Sequence, residues 1–291
     1  MKCLSVYSLW LLFALVMASC QNNPEKEKKG ALQSGGKERA TPETTIGKDT
    51  SSPDIQETEK EKALIAATKE FPDSSLVWEN LVQFYRENGN YKSARGLTEE
   101  ILKKYPRNAR WFYIKATLAY EDEDSTTAIR AFEKAAAISH NPDYYIALAT
   151  LYAETKNPGA LHIANELLAG SKKNADKDAF FIKGLYYSHL GEKQKAINYF
   201  NKALEQSYTF MDAYREKALA LYSQGKYNEA LDVLNKALTI MNSWDEGYYY
   251  SGLVLEKLNK KEDAIISYKN ALAISPDYVE AREALDRLGV H

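Results

Sequence analysis

A period of 34 residues runs from residue 75 to residue 278, in frames that start at 75, 109, 143, 177, 211 and 245. Trp78, Tyr85, Gly89, Ala94 and Pro106 of the first frame are matched by Tyr248, Leu255, Asn259, Ala264 and Pro276 of the last. Between them fall Phe112, Ala116, Ala128, Phe132 and Ala135, then Phe180, Gly184, Tyr187, Gly191, Ala196, Phe200 and Ala203. Tyr214, Ala218, Leu221, Gly225, Ala230, Leu234 and Ala237 follow at the same offsets. Apolar residues at spacings of three and four make an amphipathic helix, and two such patterns divided by Gly or Asn read as a helical hairpin. The small residues let helices approach closely while the aromatics fill the remaining space. Each hairpin leaves an apolar face that only a neighbour can cover, so such units stack into a solenoid.

The third frame departs from this register. Its first helix, with Tyr145, Ala149 and Tyr152, runs one residue early, and its second, with Ala160 and Ala164, two early. Asn157-Pro158-Gly159 makes the turn, and extra residues around Ser171 to Asp176 are expected to restore the frame. Outside the repeats, residues 55–72 read as a lone helix stopped at Pro72, and residues 279–291 as a charged helix covering the last apolar face.

The pattern resembles the tetratricopeptide repeat, whose signature is a bulky residue at position 4, small ones at 8, 20 and 27, aromatics near 11 and 24, and often Pro at 32. That resemblance implies an all-α, right-handed α-solenoid of six hairpins (75–108, 109–142, 143–176, 177–210, 211–244 and 245–278) with terminal capping helices. It also implies a concave groove lined by positions 2, 5, 9, 12 and 13 of the first helices. Here those positions bring Arg110, Tyr113, Tyr120, Phe181, Arg215, Tyr222 and Tyr249 inward as peptide-groove candidates. Packing against neighbouring helices is the competing role for each of them. The carboxylate clamp used by some members for chaperone tails needs Lys and Asn at positions 5 and 9. Glu79 and Gln83 stand there in the first repeat, and Tyr113 and Thr117 in the second, so that clamp is not expected.

The N-terminus carries a different message. Lys2, an apolar stretch from about Leu4 to Val16, and then Met17-Ala18-Ser19-Cys20 make a secretory signal over residues 1–19, too short to span a bilayer. Small residues ending at a cysteine look like the lipobox of bacterial lipoproteins, in which Cys20 would receive the lipid; an ordinary signal cleaved nearby is the alternative. Gln21 and Asn22 give no inner-membrane retention signal, so the outer membrane is the expected address. Residues 20–54 hold almost no large apolar side chain and are expected to form a tether spanning roughly 30–35 Å as a flexible coil.

Little else in the chain suggests chemistry. Both cysteines, Cys3 and Cys20, lie in the first twenty residues, and the net charge of −2 gives no drive toward nucleic acid. Gly35-Gly36-Lys37 lacks the first glycine, the hydroxyl and the preceding strand of a phosphate loop. His140, His162, His189 and His291 show no metal spacing, and Glu121-Asp122-Glu123-Asp124 reads as a solvated turn that caps the next helix. No cofactor and no enzymatic site are expected. The 21 tyrosines favour a surface that grips other molecules. The expected function is an envelope scaffold for a protein or peptide partner, held at the membrane by its N-terminal lipid; a surface component capturing glycan or peptide nutrients is the alternative.

Overall fold

The computed structural model describes residues 53–170 and 176–290. The expected signal peptide, Cys20, the expected tether up to residue 52 and residues 171–175, which were expected to restore the frame, lie outside the described residues. Fourteen helices make up the regular structure of the described part: α1 Pro53–Glu70, α2 Ser75–Glu87, α3 Tyr91–Lys104, α4 Ala109–Glu121 and α5 Ser125–Ile138. There follow α6 Pro142–Glu154, α7 Gly159–Ala169, α8 Asp176–His189, α9 Lys193–Gln206 and α10 Met211–Ser223. The last four are α11 Tyr227–Ile240, α12 Asp245–Lys257, α13 Lys261–Ile274 and α14 Val279–Arg287. The chain divides into two compact units at Pro106/Arg107.

In the first unit α1 packs on α2, and α2 on α3. Trp78 Nε1 donates to the Pro72 carbonyl at 2.9 Å, and Asp73 accepts from the Tyr105 hydroxyl at 2.9 Å, so the turn between α1 and α2 is tied at both ends. In the second unit the hairpins α4–α5, α6–α7, α8–α9, α10–α11 and α12–α13 follow one another, and from α5 onward each hairpin packs on the next. α14 closes the series against α13. This is the packing of an α-solenoid.

The turn inside each hairpin repeats as faithfully as the side chains. Gly89, Gly191 and Gly225 have positive φ (67°, 86° and 75°), and the equivalent Glu123, Lys156 and Asn259 take φ near 60° as well. One residue later the amide reaches back to a carbonyl five residues earlier: Asn90 to Tyr85, Asp124 to Ala119, Glu192 to Tyr187, Lys226 to Leu221 and Lys260 to Leu255. This left-handed helix end satisfies carbonyls that would otherwise be orphaned. The following residue then caps the next helix in two hairpins: Asn90 accepts from the Ser93 amide at 3.2 Å and Asp124 from the Thr127 amide at 3.0 Å. The acidic run before α5 is therefore a capped, exposed turn. In the third hairpin Gly159 has no room for a side chain, because an added Cβ would lie 2.8 Å from the Tyr152 ring.

Between the helices of each hairpin the small residues are sealed. Ala94, Ala128, Ala160, Ala196, Ala230 and Ala264 are all fully buried, and so are Phe132, Ala164, Phe200, Leu234 and Tyr268 four residues on. Burying a side chain the size of Phe contributes about 1.5–3 kcal/mol, so Phe132, Phe200, Leu234 and Tyr268 each supply a substantial share of their hairpin's stability. The irregular third frame keeps its seal by shifting Ala149, Ala160 and Ala164 together, at the expense of a shorter second helix, α7, of 11 residues against 14 in α5 and α9.

Candidate functional site

Within the second unit α8 touches α6 and α10, and α10 touches α12, so the first helices of successive hairpins form a shared layer. The seven candidate residues are spread along the first helices and do not converge on one pocket. Tyr113 is buried, its ring 5.5 Å from Phe132 and 5.3 Å from Tyr144. Phe181 is buried between Phe200 at 5.8 Å and Phe210 at 4.9 Å. Tyr249, half-buried, meets Tyr250, Tyr268 and Tyr278 at 5.3, 5.8 and 5.2 Å. Position 5 thus reaches the start of the following hairpin each time and joins one hairpin to the next. Tyr120 is buried too, its hydroxyl donating to the Glu154 carboxylate at 2.9 Å.

Burial limits what Tyr113, Tyr120, Phe181 and Arg215 can offer a ligand. Arg110 is half-buried over the Tyr113 ring at 5.8 Å, and Tyr222 is half-buried beside Tyr227 at 5.3 Å. These two and Tyr249 hold most of the surface that the candidate set presents.

Arg215 is the least expected member. Its side chain is 4% exposed and meets three carboxylates: Asp212 at 2.8 Å, Glu246 at 3.0 Å and Glu216 at 3.2 Å. Burial works against its charge, but Asp212, Glu216 and Glu246 together overcome that and raise its pKa, so the guanidinium stays protonated. The Asp212 contact is close, and Asp212 Oδ1 is buried with no partner other than Arg215. Burial pushes the Asp212 carboxyl up, and the Arg215 charge pulls it back.

Sequence reasoning missed these carboxylates, although they too are periodic. Asp143, Asp178, Asp212, Glu246 and Glu280 each sit in the first turn of a first helix or of α14. Negative charge there is favoured by the helix dipole. Their recurrence, 35 residues from Asp143 to Asp178 and 34 at each later step, was the signal available in the sequence.

Asp178 shows the cost of the arrangement. Burial, and to a lesser extent the charges of Asp143 and Asp212, push its carboxyl up to about 6 against the opposing pull of Lys177. A carboxyl raised on folding binds its proton more tightly in the folded state, so stability is highest below the unfolded value and falls as pH climbs to the folded one. We expect Asp178→Asn to remove a decline in stability between about pH 4 and 6. At pH 7.5 it should stabilise by roughly 2 kcal/mol, after allowance for residual solvent. Denaturant midpoints across that range check this, and parallel profiles for the two proteins would contradict it.

Among the described residues no helix is long and apolar enough to cross a membrane, and no three His, Cys, Asp or Glu side chains are grouped to hold a metal ion. Models described as tetratricopeptide repeats match residues 61–109 and 245–278, and one described as TPR repeat matches 218–259. The chain is a tetratricopeptide-repeat protein. A further helical-repeat model, the TT21 fifth ARM repeats domain, matches 111–216 of this repeat protein, the stretch that contains the irregular third hairpin. A search of curated proteins finds no match.

Among solved structures, a tetratricopeptide repeat protein from Parabacteroides merdae aligns with 80% of the chain and 92% of its own, at 18% identity and a TM-score of 0.64. PilW, a type IV pilus biogenesis factor, aligns over 72% and 98%, at 18% identity and 0.55. The hetero-tetramer Cut9–Hcn1 of the APC/C aligns over 82% of this chain and 50% of its own, at 19% identity and 0.51. At these identities the likeness is one of fold. Repeats of this family serve as protein-interaction scaffolds and are typically non-catalytic, and that general role is the one this chain's fold supports.

Proposed function

We propose that this repeat protein is a lipid-anchored scaffold of a bacterial envelope, which binds a segment of a partner polypeptide along its first helices and so assembles or recruits an envelope complex. The observation that carries this reading is the shared layer of α6, α8, α10 and α12, because a surface built by successive hairpins accepts a segment longer than one repeat. Tyr222 and Tyr249 are its anchors, with Arg110 on the preceding first helix, α4, since Arg and Tyr dominate the energetics of such contacts. Cys20 with its lipobox-like approach supports the anchor, and the absence of a retention signal at Gln21 and Asn22 supports the outer membrane. Residues 20–54 then serve as the tether. The pilus biogenesis factor with the same fold is an analogy for such a setting. The partner is a protein or peptide; nucleic acid and cofactors have no part in this reading.

A photo-crosslinking residue at Tyr222 is expected to yield a discrete protein adduct in cells, while the same residue at exposed Glu205 on α9 yields none. Adducts from both positions, from neither, or an affinity for oligosaccharide alone would overturn the groove. Fatty-acid label is expected in the wild type and not in Cys20→Ser; an unlabelled wild type would remove the anchor.

A further inference from the structure

A second face of the protein is basic, and the near-zero net charge conceals it. Lys183 on α8 and Lys202 on α9 lie over the same Tyr199 ring, and burial first and then the Lys202 charge lower the pKa of Lys183. One period later Lys217 on α10 and Lys236 on α11 hold the equivalent positions: burial first and then Lys236 lower the pKa of Lys217, and Glu229 offsets them only in part. Lys183 and Lys217 are half-buried, while Lys202 and Lys236 are exposed. Among the described residues no carboxylate makes a salt bridge to any of these four. The first pair is set among aromatic rings: Lys202 Nζ lies 5.8 Å from Phe180 and 5.3 Å from Tyr199, and Lys183 Nζ lies 5.7 Å from Tyr199.

Like charges held together, partly out of water and with no salt-bridged carboxylate to balance them, weaken the folded state unless something anionic completes them. We propose that this lysine face docks an acidic segment of a polypeptide, whose Asp or Glu side chains bridge the Lys183–Lys202 and Lys217–Lys236 pairs. Complementary charge is the argument for an anionic occupant, and the recess decides its class. A flat layer of lipid headgroups would meet exposed Lys202 and Lys236 and leave Lys183 and Lys217 short of a partner. A carboxylate on a side chain can reach both members of a pair. The rings around Lys202 offer apolar surface to the segment between its charges. This face is separate from the Arg110, Tyr222 and Tyr249 anchors, so it stands or falls independently of the proposed groove.

The test uses the full chain and a fluorescein-labelled oligoglutamate peptide. The exposed pair is replaced in Lys202→Gln/Lys236→Gln, which should leave the fold intact, and Lys260→Gln/Lys261→Gln removes the same charge from the exposed start of α13. The expected result is a loss of affinity of roughly tenfold or more in the first variant, with a shallower salt dependence, and little change in the second. Equal losses in both variants, or none in the first, would overturn the proposal. So would tighter binding of phosphatidylglycerol vesicles or of a single-stranded RNA than of the peptide, lost in the first variant, since the face would then belong to a lipid or nucleic-acid partner.

Discussion

Arg215→Ala should lower the stability of the second unit by about 3–5 kcal/mol, the usual cost of removing one partner from a buried ion network. Asp212, Glu216 and Glu246 would be left as three negative charges around an almost dry cavity. Glu246 belongs to α12 while the other two belong to α10, so the loss falls on the joint between two hairpins as well as within one. Arg215→Lys should recover only part of it, because an ammonium lacks the fork that meets three carboxylates at once. Repeat arrays often unfold in stages, so amide hydrogen exchange is the suitable measurement. Protection should fall most in α10 and α12, and an unchanged pattern would mean that the network contributes nothing to the joint.

The second large effect concerns the seal inside a hairpin. Phe200 is fully buried, and an added Cβ on Gly184 would come within 2.4 Å of its ring. Phe200→Ala is expected to cost about 3–5 kcal/mol through lost burial and a residual cavity. Gly184→Leu alone should cost about 1–3 kcal/mol, since the ring cannot move aside in a close-packed hairpin. Combined, the leucine occupies the space the ring vacates, and the double variant should be more stable than the sum of the separate losses predicts. Additive losses would mean that the two positions do not share one volume. Gly252 and Tyr268, in the last hairpin, stand in the same relation.

The particular residues explain what the sequence revealed and what it hid. The small and bulky positions of the hairpins were legible because they recur every 34 residues and their burial depends on contacts inside one repeat, as with Gly184 and Phe200. Even the displaced third hairpin was readable, since Ala149 comes one residue early and Ala160 and Ala164 both two early. Position 5 was another matter. Its neighbours come from the next hairpin, so a periodic pattern can show that Tyr113 and Phe181 lie on the inner helix without showing that Tyr144 and Phe210 cover them. Arg215 was harder still: an arginine on a helix face is ordinarily solvated, and only the joint presence of Asp212, Glu216 and Glu246 makes its burial tolerable.

The left-handed turn that closes every hairpin has a consequence for how the chain is made. All of its hydrogen bonds lie within about two helical turns of sequence, and the sealed pairs such as Phe200 with Gly184 are 16 residues apart. Folding rates rise as contacts become more local, and a chain emerging end first lengthens by only about 5–20 residues per second. A hairpin can therefore close and bury its aromatic before the next has fully emerged. Each finished unit then offers a ready apolar edge to its successor, so assembly proceeds in the order in which the hairpins emerge and little greasy surface waits uncovered.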